Sequence, residues 1–259
     1  MSSLPVHFIW WARCSPFYNR VLSFSYLVAL LVRNPLIILA TIAYGSFSLV
    51  ISFFDHEGEK QAAVARAWAR MLLRIGGVTV TVRGLERLDP KGGYVFASNH
   101  VSYYDTPLIL SHIPARFRFL ANDYLFKIPF LGTHLARAGH IPVPKGNPRE
   151  AVRTMAEAGR IVRERGISLL VFPEGGRAVD GVLQEFREGA AMIAIKAGAP
   201  LVPVALRGTM HVLRMHSAHV KPAHVELCIG VPIPTAGMVA RDRGALSEQV
   251  RAAVAEMLE

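Results

Sequence analysis

Tyr94-Val-Phe-Ala-Ser-Asn-His-Val-Ser-Tyr-Tyr-Asp-Thr-Pro-Leu-Ile-Leu110 is the stretch from which the fold can be read. Tyr94 to Ala97 is a short apolar run behind a Lys91-Gly-Gly turn, the pattern of a strand leaving a loop. Asp105 precedes Thr106-Pro107 and a second apolar run, and so reads as the N-cap of a helix. A strand, a polar loop and a helix in that order form one unit of an α/β fold. Outward from it the alternation continues. Val78 to Val82 alternates at period two, while Ser168 to Phe172, Leu201 to Leu206 and Val225 to Ile229 are continuous apolar runs suited to strands covered on both faces. Pro148 to Arg165 reads as a helix with Asn147 as its N-cap, Pro148 in the first position and Glu150 where a capping-box partner belongs. Ala245 to Leu258 reads as a C-terminal helix. The expected architecture is α/β, a mixed and largely buried sheet flanked by helices.

The N-terminal quarter differs. The 19 residues Leu36 to Phe54 carry no charge, and as a helix would extend roughly 28 Å, close to the thickness of a bilayer core. A shorter apolar run, Val21 to Val32, precedes it, separated by Arg33-Asn34-Pro35. A charge beside a helix breaker predicts an interfacial position or the bend of a re-entrant hairpin. Trp10, Trp11, Phe17 and Tyr18 are placed to sit among headgroups. A cleaved signal peptide fits less well, because the apolar run starts late and ends in Phe53-Phe54-Asp55 rather than in small residues. Residues 1–59 are therefore expected to be a helical membrane anchor and residues 60–259 the catalytic domain. Lys60 to Ile75 reads as an amphipathic helix with Arg66, Arg70 and Arg74 in a stripe. It is equally suited to lying on anionic headgroups and to packing on the domain.

Composition supports that division. Of 259 residues 52% are hydrophobic, and 29 Lys and Arg stand against 19 Asp and Glu. Basic charge on an apolar chain fits a membrane surface or an anionic substrate. The basic residues are dispersed, with no zinc-finger spacing or basic-helix run, so no nucleic-acid partner is expected. Two cysteines far apart, Cys14 and Cys228, give no disulfide framework. Ten histidines without an HExxH or Cys/His pattern indicate no metal.

Two clusters carry chemistry. In Asn99-His100-Val-Ser-Tyr-Tyr-Asp105, His100 falls in a strand-to-helix loop, where open α/β sheets place their ligands. A carboxylate at Asp105 bonded to one imidazole nitrogen would fix the other as a proton acceptor for a hydroxyl. The plain alternative is a capping Asp beside an unrelated loop His. Ser102 lacks the glycine-flanked elbow of a serine nucleophile. In Phe172-Pro-Glu-Gly-Gly-Arg177, two glycines let backbone N–H groups approach an anion, and Arg177 can bind phosphate through a fork of donors. Glu174 is placed to take a substrate hydroxyl or to hold Arg177. The plain alternative is a turn with a surface Glu–Arg pair of little energetic weight.

Asn99-His100-x4-Asp105 and Phe172-Pro-Glu-Gly-x-Arg177 together resemble the first and third signature blocks of the glycerolipid acyltransferases, the group that includes 1-acyl-sn-glycerol-3-phosphate acyltransferase. Phe186-Arg-Glu-Gly189 is similar to the family's Phe-Lys-x-Gly stretch, and Val202-Pro-Val-Ala-Leu206 to its fourth block. Lys127-Ile-Pro-x-x-Gly132 through Arg137-x-Gly139 resembles the approach to the second. Gly176 stands where the family usually has Thr. The Arg that usually ends the second block would fall near Pro144, with Lys145 the nearest basic residue. The resemblance implies a glycerol-3-phosphate acyltransferase-like fold and transfer of an acyl group from acyl-CoA or acyl-carrier protein, as co-substrate and without a cofactor, to a lysophospholipid hydroxyl. It implies catalysis by His100 and Asp105, acceptor binding by Glu174, Gly175 and Arg177, and electrostatic help from Lys127 and Arg137. The expected setting is the cell membrane, with membrane lipids as partners and the site on the cytoplasmic face. The departures leave another acceptor, such as a lyso-aminolipid, open. A hydrolase using the same pair and a non-catalytic membrane-binding protein are the alternatives from other classes.

Overall fold

The continuous apolar runs become the centre of one sheet because residues that are apolar on both faces need cover on both. The computed structural model describes residues 24–55, 58–144 and 146–259. In chain order, α1 (Phe24–Val28) passes through a π-turn (Ala29–Arg33) into α2 (Asn34–Ile51). Then follow α3 (Glu59–Gly76), β1 (Thr79–Arg83), β2 (Val95–Ser98), α4 (Asp105–His112), β3 (Phe117–Asn122), α5 (Leu131–Arg137) and β4 (Ile141–Val143). The chain continues through α6 (Pro148–Arg165), β5 (Ser168–Val171), α7 (Gly189–Ala197), β6 (Leu201–Arg207), α8 (Thr209–Val212), β7 (His224–Ile229) and α9 (Arg243–Leu258). The seven strands lie in the order β1-β7-β6-β2-β5-β3-β4. Every neighbouring pair is parallel except β6 and β7, so the sheet is mixed as the sequence predicts.

Helices cover both faces. Leu73 of α3 and Tyr104, Leu108, Ile109 and Ile113 around α4 pack on one side with Phe96, Leu170 and Leu206. Ala158 and Val162 of α6, the alanine-rich α7, and Leu246 and Val250 of α9 pack on the other with Val95, Leu169 and Leu201. β2 and β5 are buried at every position. Helix α6 starts where expected: Asn147 Oδ1 accepts the Glu150 N–H at 3.3 Å. Helix α3 packs on the domain, burying Val64, Ala69, Leu72 and Leu73, while Arg66 donates to the carbonyls of Pro114 and Ala115. Arg70 and Arg74 stay exposed.

The expected bend at Arg33-Asn34-Pro35 is corrected. Residues Phe24–Ile51 form one helical run of 28 residues, long and apolar enough to cross a membrane. Pro35 falls just after the π-turn, whose widened turn leaves room for a residue without an N–H. The polar groups there are bonded to the domain. Arg33 donates to the Val220 carbonyl at 3.4 Å and Asn34 to that of Ala218 at 2.7 Å. Further along, Trp68 Nε1 donates to Thr41 Oγ1, His134 Nδ1 meets Ser48 Oγ, and Arg137 binds Ser52. One side of α2 is thus fastened to the domain along its length, and the other leaves Leu39, Ile42, Phe47 and Val50 exposed. Trp10, Trp11, Phe17 and Tyr18, and the start of the run at Val21, lie outside the described residues.

Beside α5, His140 accepts the Phe119 N–H on Nδ1 at 3.0 Å. Although part of the residue reaches solvent, burial pushes the imidazole down to about 3, with Arg118 and His134 adding positive charge. A folded-state value below the ordinary one stabilises the fold fully above the usual histidine range. That stability is lost as pH falls toward 3, by on the order of 1 kcal/mol per pH unit. Thermal unfolding followed between pH 7 and 4 should show this slope, and His140→Gln, which keeps an acceptor but does not titrate, should flatten it.

Candidate active site

The parallel strands β2, β5 and β3 end on one edge of the sheet, and the loops after β2 and β5 bring the two polar clusters together there. Asn99 fixes the first loop: its side chain donates to the Leu206 carbonyl at 3.0 Å and accepts the Leu206 N–H at 2.8 Å, gripping β6. His100 follows, with its ring stacked on Phe172 at 3.8 Å between centroids and 13° between planes. Ser102 Oγ donates to the Leu213 carbonyl and accepts the Tyr104 N–H, which makes it a loop brace.

Asp105 is completely buried. The expectation that it caps its own helix is corrected, because it is the first residue of α4 and makes no cap bond to it. Its carboxylate turns back into the loop. Oδ2 accepts the His100 Nδ1–H at 2.7 Å, the Val101 N–H at 2.7 Å and the Ser102 N–H at 2.8 Å. With Nδ1 donating to a carboxylate, the imidazole is assigned the tautomer that leaves Nε2 as an acceptor. Nε2 bonds to no described residue.

Glu174 is buried and neither holds Arg177 nor presents a free oxygen. Oε1 accepts the His100 N–H at 2.7 Å, and Oε2 accepts the Gln184 N–H at 3.1 Å. Burial raises its carboxyl above the usual range, offset in part by these two bonds. One carboxylate therefore ties the backbone of the histidine loop to the segment after Arg177. A second tie runs from the Ala178 N–H to the His100 carbonyl at 2.8 Å. Gly175 sits at φ +77, a conformation that favours glycine, and a Cβ there would come within 2.7 Å of the Arg187 guanidinium. Gly176 faces open space.

The Arg177 guanidinium lies 4.3 Å over the Tyr103 ring, held by a cation–π contact, and its buried Nε has no partner among the described residues. Glu174, Gly176, Arg177, Asp180 and Gln184 line an open cavity of about 480 Å³. A larger one, about 610 Å³, lies at β1, β7 and β6, where Arg83 and Arg207 are both paired with Glu226. It holds none of the residues singled out in the sequence. His100, Asp105, Glu174, Gly175 and Arg177 are thus brought together, while Lys127 and Arg137 belong to another segment. Lys127 is exposed, 3.7 Å from Asp123. Arg137 is committed to the end of α2, donating to Ser52 Oγ and its carbonyl, with its guanidinium over Phe53. Lys145 lies outside the described residues. Among the described residues no group of acidic, His and Cys side chains could hold a metal ion. Reading the sequence missed Phe172 as the stacking partner of His100 and Tyr103 as that of Arg177, although both stand inside the clusters. Gln184 contributes a backbone N–H, which no side-chain pattern announces.

A family model described as Acyltransferase matches residues 79–207, from β1 through β6. A 1-acyl-sn-glycerol-3-phosphate acyltransferase of Cocos nucifera is 33% identical over 166 residues, 64% of this chain and 53% of that protein. The human protein named 1-acyl-sn-glycerol-3-phosphate acyltransferase alpha is 28% identical over 184 residues, 70% of this chain and 65% of its own length. The match thus spans about half to two-thirds of these relatives. The crystal structure of the 1-acyl-sn-glycerophosphate (LPA) acyltransferase PlsC from Thermotoga maritima superposes with a TM-score of 0.73 at 28% identity, covering 90% of this chain and 97% of that one.

Glu174 provides a test of the tie between the loops. Glu174→Gln offers one oxygen where two N–H groups need acceptors. Losing a charge-assisted hydrogen bond of about 1.5–3 kcal/mol should lower kcat roughly 10–100-fold with little change in KM. A rise in KM alone, measured by steady-state kinetics, would place Glu174 on the substrate instead.

Proposed function

The chain belongs to the acyltransferase family, and on that premise we propose that it transfers a fatty acyl group from a thioester donor to the free hydroxyl of a lysophospholipid. The acceptor is 1-acyl-sn-glycerol-3-phosphate and the product phosphatidic acid, by likeness to the relatives named for that substrate. The donor is acyl-CoA or acyl-carrier protein. The observation that carries the reading is the 2.7 Å bond between His100 Nδ1 and the buried Asp105 carboxylate, which turns the imidazole into a base with Nε2 free.

In the proposed reaction the acceptor hydroxyl donates to His100 Nε2, which takes its proton as the oxygen attacks the thioester carbonyl carbon. A C–O bond forms, the carbonyl π electrons move to oxygen, and the imidazolium is stabilised by Asp105. Collapse breaks the C–S bond, and the leaving thiolate takes the proton from His100. Arg177, with its guanidinium 4.3 Å over the Tyr103 ring and Nε unpartnered among the described residues, is suited to the acceptor phosphate through its planar fork of donors. Glu174 and Gly175 serve this pocket by shaping it: one anchors the loop, and the other lets the backbone turn over Arg187. Lys127 adds positive charge on the same edge. The exposed apolar side of α2 anchors the chain to the membrane, with the site on the cytoplasmic face.

The test is acyl transfer by detergent-purified protein, with labelled acyl-CoA and separately acyl-carrier protein, against a panel of lysolipids. His100→Ala should cut turnover by about 10²–10⁴-fold, and unchanged turnover would remove the mechanism. Arg177→Ala should raise the acceptor KM more than the donor KM; the reverse would exchange the two pockets.

A further inference from the structure

Beyond the N-terminal helix, Phe130 is the most exposed large apolar side chain among the described residues, at 80%. Its backbone stands at φ 62 and ψ −53, and the Leu131 N–H donates to the Pro129 carbonyl at 2.8 Å. That is a γ-turn with positive φ, a strained conformation that bulky residues avoid. Strain persists only where the surroundings impose it, and here they do. The Gly132 N–H bonds to the Ile128 carbonyl at 2.7 Å and the His134 N–H to that of Phe130 at 2.9 Å. A Cβ on Gly132 would collide with the Phe126 carbonyl, so this close approach is open to glycine alone. The turn is therefore braced to hold an aromatic ring outward, beside the exposed Tyr124, Ile128 and Leu131.

Its place in the fold says what the ring meets. Helix α5 runs alongside α2 in the same sense, pairing His134 with Ser48 and Arg137 with Ser52. Phe130, just before α5, and Tyr44 each lie four residues before the first of these pairs, so the turn lies toward the middle of α2. The free side of α2 there exposes Ile38, Ile42 and Phe47. Strand β3, which feeds this turn, is parallel to β5 and β5 to β2, so the turn leaves the same sheet edge as His100 and Arg177. Lys127 beside it is 77% exposed, and the chain carries a net charge of +10.

We infer that the Ile128–Leu131 turn is a second membrane-inserting element, which seats Phe130 in the acyl region of an anionic bilayer and turns the catalytic edge of the sheet toward the lipid. The inference rests on the reading of α2 as a membrane-facing helix; its quenching test is independent of the acyl-transfer chemistry, and only its turnover test uses the proposed reaction. Its exposed apolar cluster and its place beside α2 fit a lipid surface better than a second copy of the chain.

The full-length protein, with Cys14→Ser and Cys228→Ala, would carry a fluorophore at Phe130→Cys, Ile42→Cys or Val231→Cys. It would be reconstituted into phosphatidylcholine–phosphatidylglycerol vesicles containing brominated lipids. Emission at positions 130 and 42 should be quenched by bromolipid and shielded from aqueous iodide, with the opposite at the exposed position 231. Iodide quenching at 130 with bromolipid quenching at 42 would overturn the inference and leave the helix reading standing, whereas iodide quenching at both would remove both. Shielding of 130 from both quenchers would show a protein contact and also overturn it. Phe130→Ser should slow turnover of a vesicle-embedded acceptor several-fold and leave that of a short-chain, water-soluble acceptor unchanged. Equal losses on both would assign the ring to folding and contradict the inference.

Discussion

One carboxylate oxygen organises the candidate site. Asp105 Oδ2 gathers the His100 imidazole and two backbone N–H groups at 2.7–2.8 Å, out of contact with water. These three bonds depend on the shape of the loop from His100 to Ser102, while Oδ1 is buried with no partner among the described residues. The bond to Nδ1 also fixes the tautomer of the histidine. Glu174 repeats the device on the other side, taking the His100 N–H and reaching across to the Gln184 N–H. Between them the two carboxylates set both the ring and the backbone of one residue.

The scaffold explains why these groups meet. Parallel strands bring several loops to one edge, and Asn99 bonds the first of those loops to β6 through both its amide atoms. On that edge the Arg177 guanidinium lies over Tyr103, a residue of the histidine loop, so the anion-binding candidate and His100 are positioned by one stretch of chain. Helix α2 is held in the same way. It is fastened at Arg33, Asn34, Thr41, Ser48 and Ser52 to several parts of the domain, so the apolar side it leaves free has a fixed orientation relative to the catalytic edge.

Much of this was legible from local pattern. Strands buried on both faces announce themselves as unbroken apolar runs, and Asn147-Pro148 marks the start of α6 because capping chemistry is local. The pairing of His100 with Asp105 follows from a strand-to-helix loop of the right length. Other features depend on distant partners. Asp105 resembles an N-cap in sequence, yet its carboxylate is drawn back by three donors that are nearer. Pro35 resembles a breaker, but a preceding π-turn absorbs it. Arg137 lies within a stretch like the approach to a signature block, yet the end of α2 claims its guanidinium. Glu174 looked like a substrate ligand because nothing in the sequence shows that two backbone N–H groups arrive from residues 100 and 184.

The most direct test of the account is the turnover of Asp105→Asn with a lysophospholipid and a labelled acyl thioester, alongside a check that it unfolds at the wild-type temperature. The amide keeps an oxygen for the backbone N–H groups but withdraws the charge that holds and stabilises the protonated imidazole. The account predicts a folded protein whose turnover falls by about 10³–10⁴-fold. A folded variant with wild-type turnover would contradict it, because His100 would then need no charged partner to act as a base.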